Sequence, residues 1–447
     1  MTTFEQREYH GEGVETYNRL LNKAMDLLYH DELGRQILKG AHYKELDKEE
    51  FEKAEKKMQD GIEAGFAVQK IYIGYNGKGS PTGGRCTMVV AENGDSDRKH
   101  ARGEVYINVE YVKTLMQELG EQEGVQYLAN ILAHELTHGN QGSHFINKIS
   151  DSPSRLPNEQ AMTQKGGGYI KTRKGHISSG WEGSLLTEAN SDTAGLMMLK
   201  RTGAKYEKLV DYYQQDIKKH GWISDDASTY FKDVLTGKNE ATATEVFHRY
   251  LREKIDFLGS RIYMPLDFNG KKEWIEACWQ QHLFKENKEE FIQTTMNVLN
   301  ETTDKYMGQM RENFQNPEWL RALHIRPQSE THNVLYTDKT NAEFLYGMFV
   351  DSAKGNNKTK EPTDEEIKSQ ADEYFKSFGL PDVCEKFFEE IKAQQAKRQE
   401  EMKLRLGVVR EKLNAKRPML HIQSEAKKEP QKVGFLNMFK KDKSMDV

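Results

Sequence analysis

Residues 133–139 read Ala133-His134-Glu135-Leu136-Thr137-His138-Gly139, an H-E-x-x-H motif inside an apolar stretch. Residues four apart on an α-helix lie on the same face, so the two imidazoles can bind one zinc ion together. The glutamate beside the first histidine can then take a proton from a metal-bound water. Because so short a motif also occurs by chance, the surrounding sequence has to support this interpretation.

The residues before the motif predict that it lies on an amphipathic helix. At about 100° per residue, five apolar side chains form one stripe, and His134 and His138 fall together on the opposite side. The stripe consists of Val125, Leu128, Ala129, Leu132 and Leu136. We therefore predict a helix with one face in the core and another that presents the imidazoles to a metal.

A catalytic zinc site of this kind needs a third protein ligand and keeps a fourth position for water. Glu188 lies in a second predicted helix, and Asp192 follows it at i+4, so both carboxylates share one face. A carboxylate one turn from a ligand can accept the far N–H of a ligating histidine and fix its tautomer. Glu188 is thus the first candidate for the third ligand.

Together, the H-E-x-x-H motif and the Glu188-Ala189-x-Ser191-Asp192 pattern resemble the gluzincin (thermolysin-like) zinc metallopeptidases. The resemblance covers about residues 65–260. It implies a zincin-like catalytic core, in which a small β-sheet precedes the active-site helix. It also implies that His134, His138 and Glu188 bind Zn2+, that Glu135 is the general base, and that Asp192 supports His134.

His144 is the second candidate for the third ligand, because metzincin peptidases place theirs six residues after the second histidine. Those enzymes also have glycine three residues after that histidine, where the helix breaks, and this chain has Gln141 there. The helical pair of Glu188 and Asp192 therefore favours the gluzincin arrangement. A metzincin-like peptidase that uses His144 stays open as an alternative.

The order of patterns predicts an α+β fold, with a zincin-like core inside a mainly helical chain. Three short β-branched stretches read as strands, and 104–109 is expected to be the edge strand that pairs with substrate. The expected domains are an N-terminal helical subdomain over 1–65, a metallopeptidase domain with a helical C-terminal part over 66–350, a charged helical arm over 364–415 and a disordered tail over 416–447. The strands are residues 68–74, 86–90 and 104–109.

Composition restricts the partners and the compartment. The chain has 447 residues, 30% of them charged, and a net charge of −5, which offers no basic excess for nucleic acid. No apolar stretch is long enough for membrane insertion, and no secretory signal is visible, so we expect a cytoplasmic protein. Export without a cleavable signal stays open. Three distant cysteines, Cys86, Cys278 and Cys384, fit a reducing compartment.

These observations predict a zinc-dependent peptidase that hydrolyses a protein or peptide substrate through a zinc-bound water activated by Glu135. The alternatives are a non-catalytic binding protein with a zincin fold and a hydrolase of a non-peptide bond. The role of the 145–180 insertion is open, and the C-terminal arm is a candidate site for a protein partner. In gluzincins a downstream histidine or tyrosine donates to the oxyanion, and the candidates here are His220, His248, Tyr230 and Tyr250.

Overall fold

A computed structural model shows how these elements are arranged. It divides the chain into two compact units, Met1–Pro381 and Asp382–Val447. The residues that the structure describes are 5–6, 14–41, 65–74, 84–89, 100–150, 169–172, 175–178, 181–219, 223–256, 265–266, 268, 271–279, 283–327, 334–354, 359 and 361–424.

A mixed four-stranded sheet comes before the motif helix. Its strands are β1 (Glu5–Gln6), β2 (Gly65–Gly74), β3 (Gly84–Val89) and β4 (His100–Asn108), in the order β1-β2-β4-β3. Strand β2 runs parallel to β1 and β4, whereas β3 runs antiparallel to β4. The three predicted strands are therefore present.

The expectation that residues 104–109 form the edge strand is wrong. Strand β4 lies between β2 and β3, and its Val105 and Ile107 are fully buried. Alternating apolar residues do not distinguish an interior strand from an edge strand, because the order of strands depends on pairing that is distant in sequence. Among the described strands, β3 is the edge next to β4.

The motif helix comes almost directly after the sheet. Asn108 caps helix α3 (Val109–Leu119) by accepting a hydrogen bond from the backbone N–H of Glu110, and Gly120 ends it with a φ of 81°. The motif helix α4 then spans Glu121–Ser150. All five residues of its predicted apolar stripe are buried, so the amphipathic interpretation is confirmed.

Helix α5 (Trp181–Thr202) carries Glu188 and runs antiparallel to α4. Gln141 of α4 donates to the backbone carbonyl of Thr187 near the start of α5, and Gly195 lies beside Asn130 further along. A Cβ at Gly195 would lie 2.4 Å from Asn130 Oδ1. Glycine at this position therefore allows the two helices to approach closely.

The N-terminal helices α1 (Val14–His30) and α2 (Glu32–Gly40) pack on α4. At the exposed margin, Arg19 Nη2 donates to Glu121 Oε2 over 2.8 Å. Of the expected N-terminal subdomain over 1–65, residues 42–64 lie outside the described part of the chain.

Helix α8 (Ala243–Lys254) also packs on α5. It begins with a capping box in which Thr242 and Glu245 satisfy each other's backbone N–H groups. The other elements of this unit are β5 (Tyr169–Thr172), β6 (Gly175–Ser178), α6 (Glu207–Lys219), α7 (Asp225–Thr236), α9 (Lys271–Cys278), α10 (Lys288–Gln315), α11 (Pro317–Arg321), β7 (Leu323–Pro327), β8 (Val334–Thr340), α12 (Asn341–Lys354) and α13 (Asp364–Ser377).

The described part of the second unit is one long helix, α14 (Val383–Ser424). The predicted arm over 364–415 is therefore divided between α13 in the first unit and α14 in the second, and Gly379, whose φ is 71°, lies between them in the sequence. Helix α14 continues past residue 416, where the tail was expected to begin, and residues 425–447 lie outside the described part. None of the described helices combines the length and apolarity that crossing a bilayer requires.

Candidate metal centre

The structure brings His134, His138 and Glu188 together between α4 and α5. The Nε2 atoms of the two imidazoles are 3.3 Å apart. One Glu188 oxygen lies 3.5 Å from His134 Nε2, and the other lies 3.5 Å from His138 Nε2. The three donor groups, which come from two helices, form a triangle in which each imidazole faces a different oxygen of Glu188.

The size of this triangle is compatible with a small divalent metal ion. In a tetrahedral site with bonds of about 2.0–2.1 Å, neighbouring donor atoms are about 3.3–3.4 Å apart. The ring nitrogens, 3.3 Å apart, match that value, and each lies 3.5 Å from a different oxygen of Glu188. The three side chains are partly exposed, with 22% of His134, 19% of His138 and 39% of Glu188 accessible, so a further ligand can approach from solvent.

Asp192 orients the ring of His134 through its Nδ1 atom. Its Oδ1 lies 3.0 Å from His134 Nδ1, which leaves Nε2 directed at the triangle. The other oxygen of Asp192 lies 2.6 Å from the ammonium of Lys254, the last residue of α8. The carboxylate therefore bridges a histidine of α4 and a lysine of α8.

His138 is held by neutral groups instead. Its Nδ1 lies 3.1 Å from Gln141 Oε1 and 3.2 Å from Ser191 Oγ. Gln141 is itself oriented, because its amide N–H donates to the carbonyl of Thr187 at 3.1 Å. Protonation of Nδ1 frees Nε2 as a metal ligand, so both rings are held in the tautomer that a metal requires.

Glu135 lies at the edge of the triangle. Its side chain is 7% exposed, and one carboxylate oxygen lies within 4.8 Å of a ring nitrogen of each motif histidine. As the residue next to His134, it leaves the helix in a different direction from His134 and His138. This arrangement places a carboxylate near the ion without making it one of the three donors.

Charge in this cluster favours a cation at the imidazoles. Burial lowers the pKa of His134, but hydrogen bonds to Asp192 and Glu188 outweigh it and leave that pKa well above its usual value. Burial likewise lowers the pKa of His138, and the charge of Glu188 raises it above normal. Burial raises the pKa of Glu188, yet the two histidines bring it well below normal. Metal ions and protons compete for the same lone pairs, so a site that stabilises imidazolium also suits a divalent cation.

The other predicted candidates have different positions. Helix α4 continues to Ser150 without the break that metzincins have, and the side chain of His144 lies outside the described residues. His220 is also outside them. His248 and Tyr250 are bonded within the core, to Thr295 Oγ1 at 3.0 Å and to the hydroxyl of Tyr213. The ring of Tyr230 lies under Arg249, 5.8 Å from the guanidinium carbon. The contacts of these three residues assign none of them to the oxyanion.

Sequence reasoning missed three contributors, Gln141, Ser191 and Lys254. Two of them had a local signal, because Gln141 is three residues after His138 and Ser191 is three after Glu188. Lys254 had none, since its position depends on how α8 packs on α5. Searches for a matching protein family, a similar curated protein or a similar solved structure find no match.

Proposed function

We propose that this chain is a zinc-dependent peptidase in which His134, His138 and Glu188 bind the ion and Glu135 is the general base. The observation that carries the proposal is the triangle of donor groups, in which the two ring nitrogens are 3.3 Å apart, as in a tetrahedral zinc site, and each lies 3.5 Å from an oxygen of Glu188. A zincin-like core, with the sheet packed against α4, is part of the proposal.

The chemistry assigned to the chain depends on the donor set. A bound zinc ion supplies a Lewis acid that polarises the peptide carbonyl and lowers the pKa of water. Glu135 takes one proton from the water as its oxygen forms a bond to the carbonyl carbon. When the C–N bond breaks, Glu135 delivers that proton to the leaving amine nitrogen. Asp192, Gln141 and Ser191 keep both imidazoles in the metal-binding tautomer throughout.

The sheet offers a place for an extended substrate. Among the described strands, β3 pairs with β4 alone, and it packs near α4. A peptide that adds to such an edge forms backbone hydrogen bonds that align its scissile bond. Strand β3 therefore replaces residues 104–109 as the proposed substrate-pairing strand.

Glu135 favours an enzyme over the alternative, a binding protein that keeps the fold without the reaction. A metal site that serves only structure has no use for a carboxylate beside an accessible coordination position. The presence of this side chain within 4.8 Å of the ring nitrogens is therefore the specific reason to prefer catalysis.

The test measures metal and cleavage on the same preparations. Purified protein is expected to contain about one zinc per chain, and Glu135→Gln is expected to retain the zinc while cleavage falls by about 10²- to 10⁴-fold. Cleavage is detected as new peptide termini in a proteome digest. Glu110→Gln, which neutralises an exposed carboxylate on α3, is the matched control and should cleave like the parent.

Three outcomes would contradict the proposal. Iron in place of zinc would contradict the assigned metal. Equal cleavage by the parent and Glu135→Gln would contradict the assigned base. Zinc-loaded parent protein that generates no termini would favour the non-catalytic alternative.

A further inference from the structure

Lys254 is a buried cation to which the proposed reaction gives no role. Its side chain is 5% exposed, and it ends helix α8, where a positive charge interacts favourably with the helix dipole. A lysine is rarely buried so completely unless a carboxylate pairs with it. Asp192 pairs with it here, with Oδ2 lying 2.6 Å from the ammonium.

This ion pair continues directly into the donor triangle. Asp192 uses one oxygen for Lys254 at 2.6 Å and the other for His134 Nδ1 at 3.0 Å. With both oxygens engaged, the carboxylate has one rotational orientation, and this is the orientation that His134 needs. The chain of contacts therefore runs from α8 through α5 to α4.

Two buried tyrosines also interact electrostatically with Asp192. Tyr250 lies one turn before Lys254 on α8, and its hydroxyl is bonded to that of Tyr213 on α6. Burial raises the pKa of both tyrosines, and the charge of Asp192 contributes to each rise. Of the groups named here, Lys254 is the one whose charge offsets that of Asp192.

We propose that Lys254 is a positioning residue of the metal centre, which acts through Asp192 to hold His134 in the orientation and tautomer that bind the ion. The inference rests on the proposed zinc site. Without the ammonium, the partly exposed carboxylate of Asp192 turns towards water, and His134 loses the acceptor for its Nδ1–H. Removal of Lys254 therefore weakens metal binding without removing a ligand.

The experiment compares zinc affinities in a double-mutant cycle. Zinc dissociation constants are measured by competition with a chromogenic chelator on the full chain, with folding checked by circular dichroism. Lys254→Met is expected to weaken zinc binding by about 10- to 100-fold, the range for groups that orient a ligand. In the Asp192→Asn background the same substitution should have no further effect, because the path through Asp192 is already broken.

Lys232→Met is the matched control. Lys232 forms an ion pair of nearly the same length with Asp211, 2.7 Å, but that pair does not lead to a histidine. Its zinc affinity should stay within about twofold of the parent. Cobalt-substituted protein provides a second readout, since the visible spectrum of the ion reports ligand geometry and should change in Lys254→Met but not in Lys232→Met.

The role of Lys254 is overturned if Lys254→Met binds zinc as tightly as the parent, or if its effect persists undiminished in the Asp192→Asn background. If Lys254→Met does not fold, Lys254→Gln takes its place with the same expectations, because glutamine keeps a donor but no charge. A parent protein that binds no zinc contradicts the proposed function itself. A parent that binds zinc, with a Lys254 variant that binds equally, contradicts only this inference.

Discussion

His134 and His138 on α4 differ from His248 on α8 in what their rings contact. The first two face the carboxylates of Glu188 and Asp192 and are about one-fifth exposed. His248 is buried, and its Nε2 meets the neutral hydroxyl of Thr295. Burial, with help from the charge of Arg252, lowers the pKa of His248 to about 4, whereas both motif histidines have raised pKa values.

This contrast shows that carboxylates supplied by a second helix, rather than burial, distinguish a candidate metal ligand from a core histidine. All three rings lie on amphipathic helices. Of these three, only the motif pair has carboxylates from a neighbouring helix within 3.5 Å of its nitrogens. A hydroxyl partner stabilises the neutral ring in place, while a carboxylate favours a positive charge, which a proton or a metal can supply.

The largest expected effect is on zinc affinity, when a motif histidine or the core histidine His248 is replaced by alanine. His138→Ala removes one proposed ligand. If a zinc-binding free energy of about 10–16 kcal/mol is shared among the ligands, this variant loses about 3 kcal/mol or more of it. Zinc affinity should then fall by at least about 100-fold. All metal-dependent cleavage should disappear with it. His248→Ala should destabilise the fold yet leave the zinc affinity of the folded protein unchanged, as measured by chelator competition. A comparable loss of zinc in both variants would contradict the assignment of His138 as a ligand and of His248 as a core residue.

The second prediction concerns His248 alone and is tested by the pH dependence of the stability of zinc-free protein. His248 has a pKa of about 4 when folded and near 6.5 when unfolded. Between these values only the unfolded chain gains the proton, so stability falls as the pH is lowered from 6.5 to 4. The contribution is about 3 kcal/mol. Urea unfolding at several pH values should show that His248→Gln loses less stability over this interval than the parent. Identical slopes for the two proteins would mean that His248 is not held neutral.

The smallest effect is expected from the neutral partners of His138. Ser191→Ala leaves Gln141 to accept the Nδ1–H, so zinc affinity should fall by about 10-fold or less, and Ser191→Ala combined with Gln141→Ala should lower it further. Thr202→Ala removes a hydroxyl from the far end of the same helix and is the control. Isothermal titration with zinc gives all these affinities. If the double variant binds zinc as tightly as the parent, Gln141 and Ser191 are not required to fix the tautomer of His138.

Local patterns in the sequence were enough to predict the two helices that carry the site. The stripe from Val125 to Leu136 and the i+4 pair of Glu188 and Asp192 depend on spacing within one helix, and the structure has both helices. The α+β class was predictable for the same reason. That Glu188 meets both imidazoles required the further assumption that α4 and α5 are neighbours, and the resemblance to gluzincins supplied it.

The predictions that failed depend on contacts that are distant in sequence. The position of β4 inside the sheet is decided by its pairing with β2 and β3, and nothing within 104–109 records that pairing. Lys254 is the last residue of a charged helical segment, where a solvent-exposed side chain is the ordinary expectation. Only the packing of α8 against α5 brings it to Asp192.

Glycine at position 195 allows α4 and α5 to approach each other closely beside the candidate site. Any other residue would place a Cβ 3.2 Å from the carbonyl oxygen of Asn130, even after the Asn130 side chain turned away. A contact of this length requires an adjustment of a few tenths of an ångström, and a shift of α5 in response would move Glu188 with it. In the proposed metal site such a shift would change the distances between the donor groups, so zinc affinity would depend on a residue that does not contact the ion.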